Sequence, residues 1–252
     1  MKSLIFAVIY LCSVSAAWST GQDFCPEHTR YGLPSSGPTL LCRSGYALSY
    51  NSRRKVADWV AYHISRQKLS ASKVRRSNDF RADADLPRDK RAQLSDYRGS
   101  GYDRGHMAPA AVMKWSHQAM SESFLLSNIA PQVGPGFNRG IWRVLEQRVR
   151  QWANHRGELY VITGPAYIGE NPKTLGKNGV AIPSHFYKVV FDPVRIESIA
   201  FLLPNKRLSS RDLPLYITSI DNIEQTTGLD FLQKLSDPVE KIVESTVQNQ
   251  LW

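Results

Sequence analysis

The chain has 252 residues, 42% hydrophobic and 21% charged, the proportions of an ordinary soluble globular protein with enough chain for a substantial core in one large domain or two. It shows no internal repeat and no low-complexity tract, which sets aside repeat architectures. Lys and Arg total 32 against 22 Asp and Glu, a net charge of +10. The excess is uneven. Residues 51–105 hold fourteen basic and seven acidic side chains, a net of +7, and residues 212–252 hold two and seven, a net of −5. Such a basic half fits a polyanion-binding surface, a solvated charged face or an anionic membrane.

The N-terminus opens with Met1-Lys2, an apolar run from Leu4 to Val14, and the small residues Ser15, Ala16 and Ala17. This predicts a secretory signal peptide over residues 1–19, cleaved near 17–19, and a secreted or periplasmic protein. The run is shorter than the ~20 residues of a membrane span, and no later stretch is long enough to span. Residues 20–252 are then expected to form a single domain. Cys12 leaves with the leader. Cys25 and Cys42 remain, an even pair expected to form a disulfide. No cysteine follows Cys42, which excludes a cysteine-based zinc site.

Residues 20–38 are rich in turn formers and predict a loop. Leu40–Tyr50 and Lys55–Ser65 predict strands, the second rich in β-branched and aromatic residues. Ser70–Tyr102 is polar and charged, a long loop of the kind that usually carries function. Met120–Ser127 predicts a short helix. Asn138–Ala153 predicts an amphipathic helix, with Ile141, Val144, Leu145, Val149 and Trp152 on one face, stopped by Gly157. Leu159–Thr163, Phe186–Phe191, Ile199–Leu203 and Leu215–Ile220 predict strands, and Asp221–Leu235 and Val239–Val247 predict helices. Strands and helices mix without βαβ alternation, which predicts an α+β fold with a largely antiparallel central sheet flanked by helices.

The chemistry centres on the run YDRGHMAPAAVM, residues 102–113, and on FNRGIWRVLE, residues 137–146. His106 is suited to take a proton from water near neutral pH; its alternative is a surface histidine. Arg104 suits a phosphate or a structural carboxylate equally. On a continuous helix Asn138 and Glu146 are about 80° apart in rotation and roughly 12 Å apart in rise. One ion bound by both directly would need distortion, so Asn138 would hold a hydrated Mg²⁺ and Glu146 its waters. The competing reading makes Asn138 a helix cap and Glu146 a solvated carboxylate.

With these pieces the chain resembles the DNA/RNA non-specific endonuclease family, whose ββα-metal site carries the DRGH motif. The matching segments are ADWVAYHIS at 57–65, YDRGHMAPAA at 102–111, LLSNIAPQ at 125–132, FNRGIWRVLE at 137–146, VITGPAY at 161–167, IPSHFYKVVFD at 182–192 and TGLDFL at 227–232. They cover nearly all of the chain beyond the leader, in family order. The resemblance implies that His106 is the general base and Asn138 the sole protein ligand of a hydrated Mg²⁺, with Mn²⁺ as a substitute. It implies that Glu146 holds the ion's water, that Arg104 is the arginine of the motif and that Asn128 supports the site. An upstream arginine that stabilises the transition state falls on Arg76 or Arg75, with Arg76 favoured. The implied activity is hydrolysis of DNA and RNA to 5′-phosphate ends. Two other classes are weighed. A non-catalytic extracellular nucleic-acid-binding protein would not need both His106 and Asn138. A phosphodiesterase for lipids or small esters would need an apolar groove that the sequence does not show.

Overall fold

The computed structural model of the protein describes residues 24–252 apart from Ser72 and Glu170. The leader expected over residues 1–19 lies outside the described residues. The strands in chain order are β1 (Leu40–Cys42), β2 (Ala47–Asn51), β3 (Val56–Ser65), β4 (Tyr102–His106), β5 (Ile129–Val133) and β6 (Glu158–Ala166). They continue with β7 (Thr174–Leu175), β8 (Val180–Ala181), β9 (His185–Asp192), β10 (Glu197–Pro204) and β11 (Ile217–Thr218). The α-helices are α1 (Arg66–Ser70), α2 (Leu94–Tyr97), α3 (His117–Glu122), α4 (Arg143–Arg156), α5 (Ile220–Thr227) and α6 (Asp237–Ser245). No helix among the described residues is long and apolar enough to cross a membrane.

Seven strands form one sheet in the order β1-β2-β3-β6-β9-β10-β11, and every neighbouring pair is antiparallel. This is the α+β class expected from the irregular mixing of elements. β4 and β5 pair with each other outside the sheet. Strand side chains alternate between faces, and here both faces are covered. Val60, Tyr62 and Ile64 of β3 enter the core that holds Leu145, Val149 and Trp152 of α4. Trp59 and Ala61 enter the opposite core, with Ile220 and Ile223 of α5 and Val243 of α6. β9 divides likewise, Phe186 and Val190 on the first face and Tyr187, Val189 and Phe191 on the second. A strand covered on both sides is apolar at nearly every position, because each large side chain buried contributes about 1.5–3 kcal/mol. The C-terminal end of α4 is tied to the sheet by Arg156, which donates to Asp192 and Glu197 at 2.8 Å each.

Several elements differ from their sequence expectations. Leu40–Tyr50 is a hairpin rather than one strand: Arg43 and Tyr46 close a turn, with Arg43 N–H donating to the Tyr46 carbonyl at 2.8 Å. The helix expected over 120–127 starts earlier, capped by Ser116, and Leu126–Asn128 forms a separate 3₁₀ turn. The helix expected from Asn138 begins in earnest at Arg143. Residues 134–142 are irregular, with Pro135, Gly136 and Gly140 outside helical geometry. Apolar spacing does not reveal that break, because Phe137 and Ile141 keep the period across it. β6 runs on through Gly164-Pro165, still paired with β9. The helix from residue 221 stops at Thr227, where Gly228 turns left-handed at φ 70°. Only Ile217–Thr218 of the 215–220 segment pairs as a strand.

The long segment before β4 is largely irregular, as expected, but it is pinned. The buried Asp83 accepts from the Arg43 guanidinium at 2.8 Å and from the Ser127 hydroxyl at 2.5 Å. The expected disulfide joins Cys25 to Cys42 across a separation of 17 residues, tying the N-terminal segment to β1. A closed loop of that size stabilises by about 3 kcal/mol in the chain-entropy model. Replacing both cysteines by serine is expected to lower Tm by roughly 6–10 °C for a chain of this size, with the room-temperature far-UV dichroism unchanged. An unaltered Tm would show that the bond constrains nothing in the unfolded chain.

Candidate active site

β4 sets the site. Its pairing with β5 places Arg104 opposite Pro131 and His106 opposite Ile129. Tyr102, Arg104 and His106 share one face by strand alternation. Gly105 between them has no substitute: a Cβ there would lie 2.1 Å from Gln132 Oε1 and 2.4 Å from its Cγ. The buried Gln132 side chain lies where that Cβ would be.

His106 sits between two aromatic rings, Phe124 at 4.9 Å and Phe80 at 5.3 Å between centroids. Each ring also carries a guanidinium, Arg76 at 4.8 Å from Phe124 and Arg104 at 4.2 Å from Phe80. Burial first, then the charges of Arg76 and Arg104, hold the imidazole well below its usual range. It is therefore neutral at pH 7, and its Nε2 is buried without a hydrogen-bond partner among the described residues. The strand end after His106 is clamped from beneath. Asn128 Oδ1 accepts from Ala108 N–H at 2.9 Å, and its Nδ2 donates to the carbonyls of Ala108 and Ser123, both at 2.9 Å.

Asn138 lies in the irregular segment before α4. Its Nδ2 donates to Asp103 Oδ2 at 2.8 Å, and Arg139 holds the same carboxylate at 3.0 Å. A carboxylate only accepts, so the amide nitrogen faces Asp103 and the amide oxygen is turned away from it. A neutral oxygen held in one orientation is a donor suited to a hard cation such as Mg²⁺.

Glu146, on the first turns of α4, lies over the sheet face that carries Lys188 of β9. Burial pushes the Glu146 carboxyl up; Lys188, Arg150 and Arg76 act against that rise. Burial pushes the Lys188 ammonium down, with Glu146 acting against it. Lys188 is fully buried, 4.5 Å from the centre of the Trp142 ring. Its Nζ has no hydrogen-bond partner among the described residues.

A cleft of about 380 Å³ gathers these groups, with Arg76, Arg104, His106, Asn138, Glu146 and Arg150 among its walls. Arg75 does not line it, whereas Arg76 does. Asn128 is not in the cleft; it is buried beneath it. A second cleft meets the first at Arg104 and Asn138 and adds Arg98. A third meets it at Gln147 and Arg150 and adds Lys68, Lys73 and Lys114. The three form a cationic track across the site. The motifs did not single out Asp103 as the group that orients Asn138, nor Arg143, Arg150 and Lys188. A signal for two of them was present: Arg143, Glu146, Gln147 and Arg150 recur at helical spacing. Lys188 was visible as a lone charge within FYKVVF.

Residues 26–238 match the family described as DNA/RNA non-specific endonuclease. The chain is 40% identical over 227 residues to a nuclease of Syncephalastrum racemosum, covering 82% of this chain and 71% of that one. It is 36% identical to the mitochondrial endonuclease G of Homo sapiens, covering 83% and 74%. Among solved structures it resembles the EndoG chain of the EndoG/EndoGI complex, with a TM-score of 0.79 and 34% identity over 84% of this chain and 92% of that one. These relatives correct the expected secreted or periplasmic location, since the human nuclease is mitochondrial. An apolar N-terminal run reports hydropathy and does not by itself fix a compartment.

Asn128→Ala removes three buried hydrogen bonds and leaves the Ala108 and Ser123 groups unpaired. At about 1–3 kcal/mol for each buried group left unsatisfied, and with partial relaxation, urea unfolding is expected to show a loss of about 2–4 kcal/mol. A loss under about 0.5 kcal/mol, the range of a neutral surface change, would remove the clamp.

Proposed function

Because the chain belongs to the DNA/RNA non-specific endonuclease family and is a metal-dependent endonuclease, we propose that it hydrolyses DNA and RNA with His106 as general base and Asn138 as the protein ligand of one Mg²⁺, leaving 5′-phosphate ends. The observation that carries this reading is the convergence of a neutral His106, an oriented Asn138 and the Arg76 and Arg104 guanidinium groups on one cleft.

His106 accepts a proton from the attacking water, which a neutral imidazole can do at pH 7. The phosphate carries negative charge, and more develops on its oxygens as the nucleophile adds and the bond to the 3′ oxygen breaks. That oxygen leaves as a hydroxyl with a proton taken from water in the cleft. Arg76 and Arg104, held over their aromatic rings, lie where that charge is stabilised without reorganisation. Asp103 keeps the Asn138 amide in one orientation, with its oxygen free to hold a cation in the cleft. Mg²⁺ held there would supply Lewis-acid stabilisation of the phosphate oxygens, with Mn²⁺ as a substitute. Glu146, supported in its charged form by Lys188, Arg150 and Arg76, accepts hydrogen bonds from water in the same cleft. The flanking clefts offer Arg98 on one side and Lys68, Lys73 and Lys114 on the other for successive phosphates. Phosphate contacts carry no sequence information, which accounts for action without base specificity on either nucleic acid. Residues 20–252 act in this reading as a single endonuclease domain.

In a plasmid-degradation assay, wild-type cleavage is expected to stop when a chelator is added. His106→Ala is expected to lose 10²–10⁴-fold or more in rate while still binding nucleic acid. Asn138→Ala is expected to be inactive at ordinary Mg²⁺ and partly restored by excess. His106→Ala retaining activity within about threefold of wild type, against that same scale, would sink the base assignment.

The pH profile follows from the sign of the shifts. His106, held low, is already deprotonated across neutral pH and sets no limit there. Glu146, pushed up, is charged only above its raised value, so activity is lost as pH falls through it. The acid limb should therefore lie above the ~4.3 of an ordinary glutamate. Lys188→Met removes a cation that favours the carboxylate and should move that limb further up. A limb at the ordinary value, or one that Lys188→Met leaves in place, would show that Glu146 does not govern the rate.

A further inference from the structure

On the opposite face of the sheet from the cleft, α5 and α6 bring three carboxylates together. Asp221 and Glu224 stand three residues apart on α5, a spacing that puts both on one helix face. Glu244 comes from α6. One oxygen from each lies within 4.8 Å of the other two. Glu244 is only 7% exposed, and its Oε1 is buried with no hydrogen-bond partner among the described residues. Glu224, Glu240, Asp221 and Asp230 all repel its charge. Glu224 is fixed in place by accepting the Phe231 N–H at 2.7 Å, which orders it without neutralising it.

A buried carboxylate is sustained only by a counter-charge, hydrogen bonds or a proton. Here its neighbours are further carboxylates, converging on one point. We propose that Asp221, Glu224 and Glu244 form a Ca²⁺-type divalent-cation site that bridges α5 to α6. The donors are oxygens alone, the set a hard cation takes. Ca²⁺ accepts a flexible set of carboxylate ligands, whereas Mg²⁺ demands near-ideal octahedral geometry and keeps several of its waters, so three carboxylates brought from two helices suit the larger ion. It is separate from the Asn138 cleft, since the seven-stranded sheet lies between them. Its consequence is mechanical. α5 places Ile220 and Ile223, and α6 places Val243, in the core on that face, so a cation between them fastens the layer that covers this side of the sheet.

The test titrates the chelator-stripped full chain with CaCl₂, and separately with MgCl₂, while Tm is followed. Wild type and Asn138→Ala are both expected to show a saturable rise of about 5 °C with CaCl₂, because the second variant lacks only the proposed ligand in the cleft. Glu244→Gln is nearly isosteric and uncharged. It is expected to melt at or above the temperature of the stripped wild type and to show no rise, with nuclease activity in Mg²⁺ within about twofold of wild type, as for distant independent sites. Equilibrium dialysis of Asn138→Ala against CaCl₂ provides a count that does not depend on the folding of Glu244→Gln: one ion per chain supports the site, and none overturns it. A wild-type Tm indifferent to CaCl₂, or a Glu244→Gln that keeps the rise, would overturn it too and leave Glu244 holding a proton instead.

Discussion

The seating of α4 along one face of the antiparallel sheet is the constraint on which the site depends. Leu145, Val149 and Trp152 enter the core there, and Arg156 locks the far end of the helix to Asp192 and Glu197. With the helix axis fixed, Glu146 has only one place to go, over the sheet beside Lys188. The break at Gly140 then lets the preceding residues leave the helix path. Asn138 is thereby brought back to Asp103 on β4 instead of continuing around the helix. The antiparallel pair of β4 and β5 supplies His106, and the irregular segment and α4 supply the oxygen groups that face it.

The electrostatics follow from that packing. Arginines crowd the cleft from separate parts of the chain: Arg76 from the long loop, Arg104 from β4, Arg143 and Arg150 from α4. Beyond the effect of burial, Arg76 and Arg104 lower the affinity of His106 for a proton, while Arg150 and Arg76 support the charge on Glu146. One arrangement thus keeps the histidine neutral and limits how far burial raises the carboxyl. Phe80 and Phe124 serve both ends, flanking the imidazole and giving the Arg104 and Arg76 guanidinium groups apolar faces to rest on.

The sheet also separates charge. The basic excess of residues 51–105 includes Arg76, Arg98 and Arg104, all on the cationic track. The acidic excess of residues 212–252 includes Asp221, Glu224 and Glu244, on the opposite layer. A polyanion approaching the track meets attraction on that side while the repelling carboxylates stand behind the sheet. The two layers meet only through β-strands whose alternate side chains belong to different cores, so each can carry its own cluster of like charges.

Sequence alone determined the family resemblance, the α+β class and four of the groups that gather in the cleft, Arg104, His106, Asn138 and Glu146. The DRGH run, the Asn–Glu segment and the apolar spacing of α4 are local patterns, legible because strand and helix periods are short. The Cys25–Cys42 pair was legible too, since no other cysteine lies beyond residue 19. The tertiary structure decided which upstream arginine lines the cleft, Arg76 and not Arg75, because a loop's course depends on distant anchors such as the Arg43–Asp83 pair. It showed Asn138 outside the regular helix and in the grip of Asp103, thirty-five positions earlier, since a glycine break leaves the apolar period intact. It turned the lone charge of Lys188 into a buried partner for Glu146, and it set Asp221 and Glu224 against Glu244. Contacts between residues far apart in the chain arise only when packing closes the fold, and no local pattern encodes them.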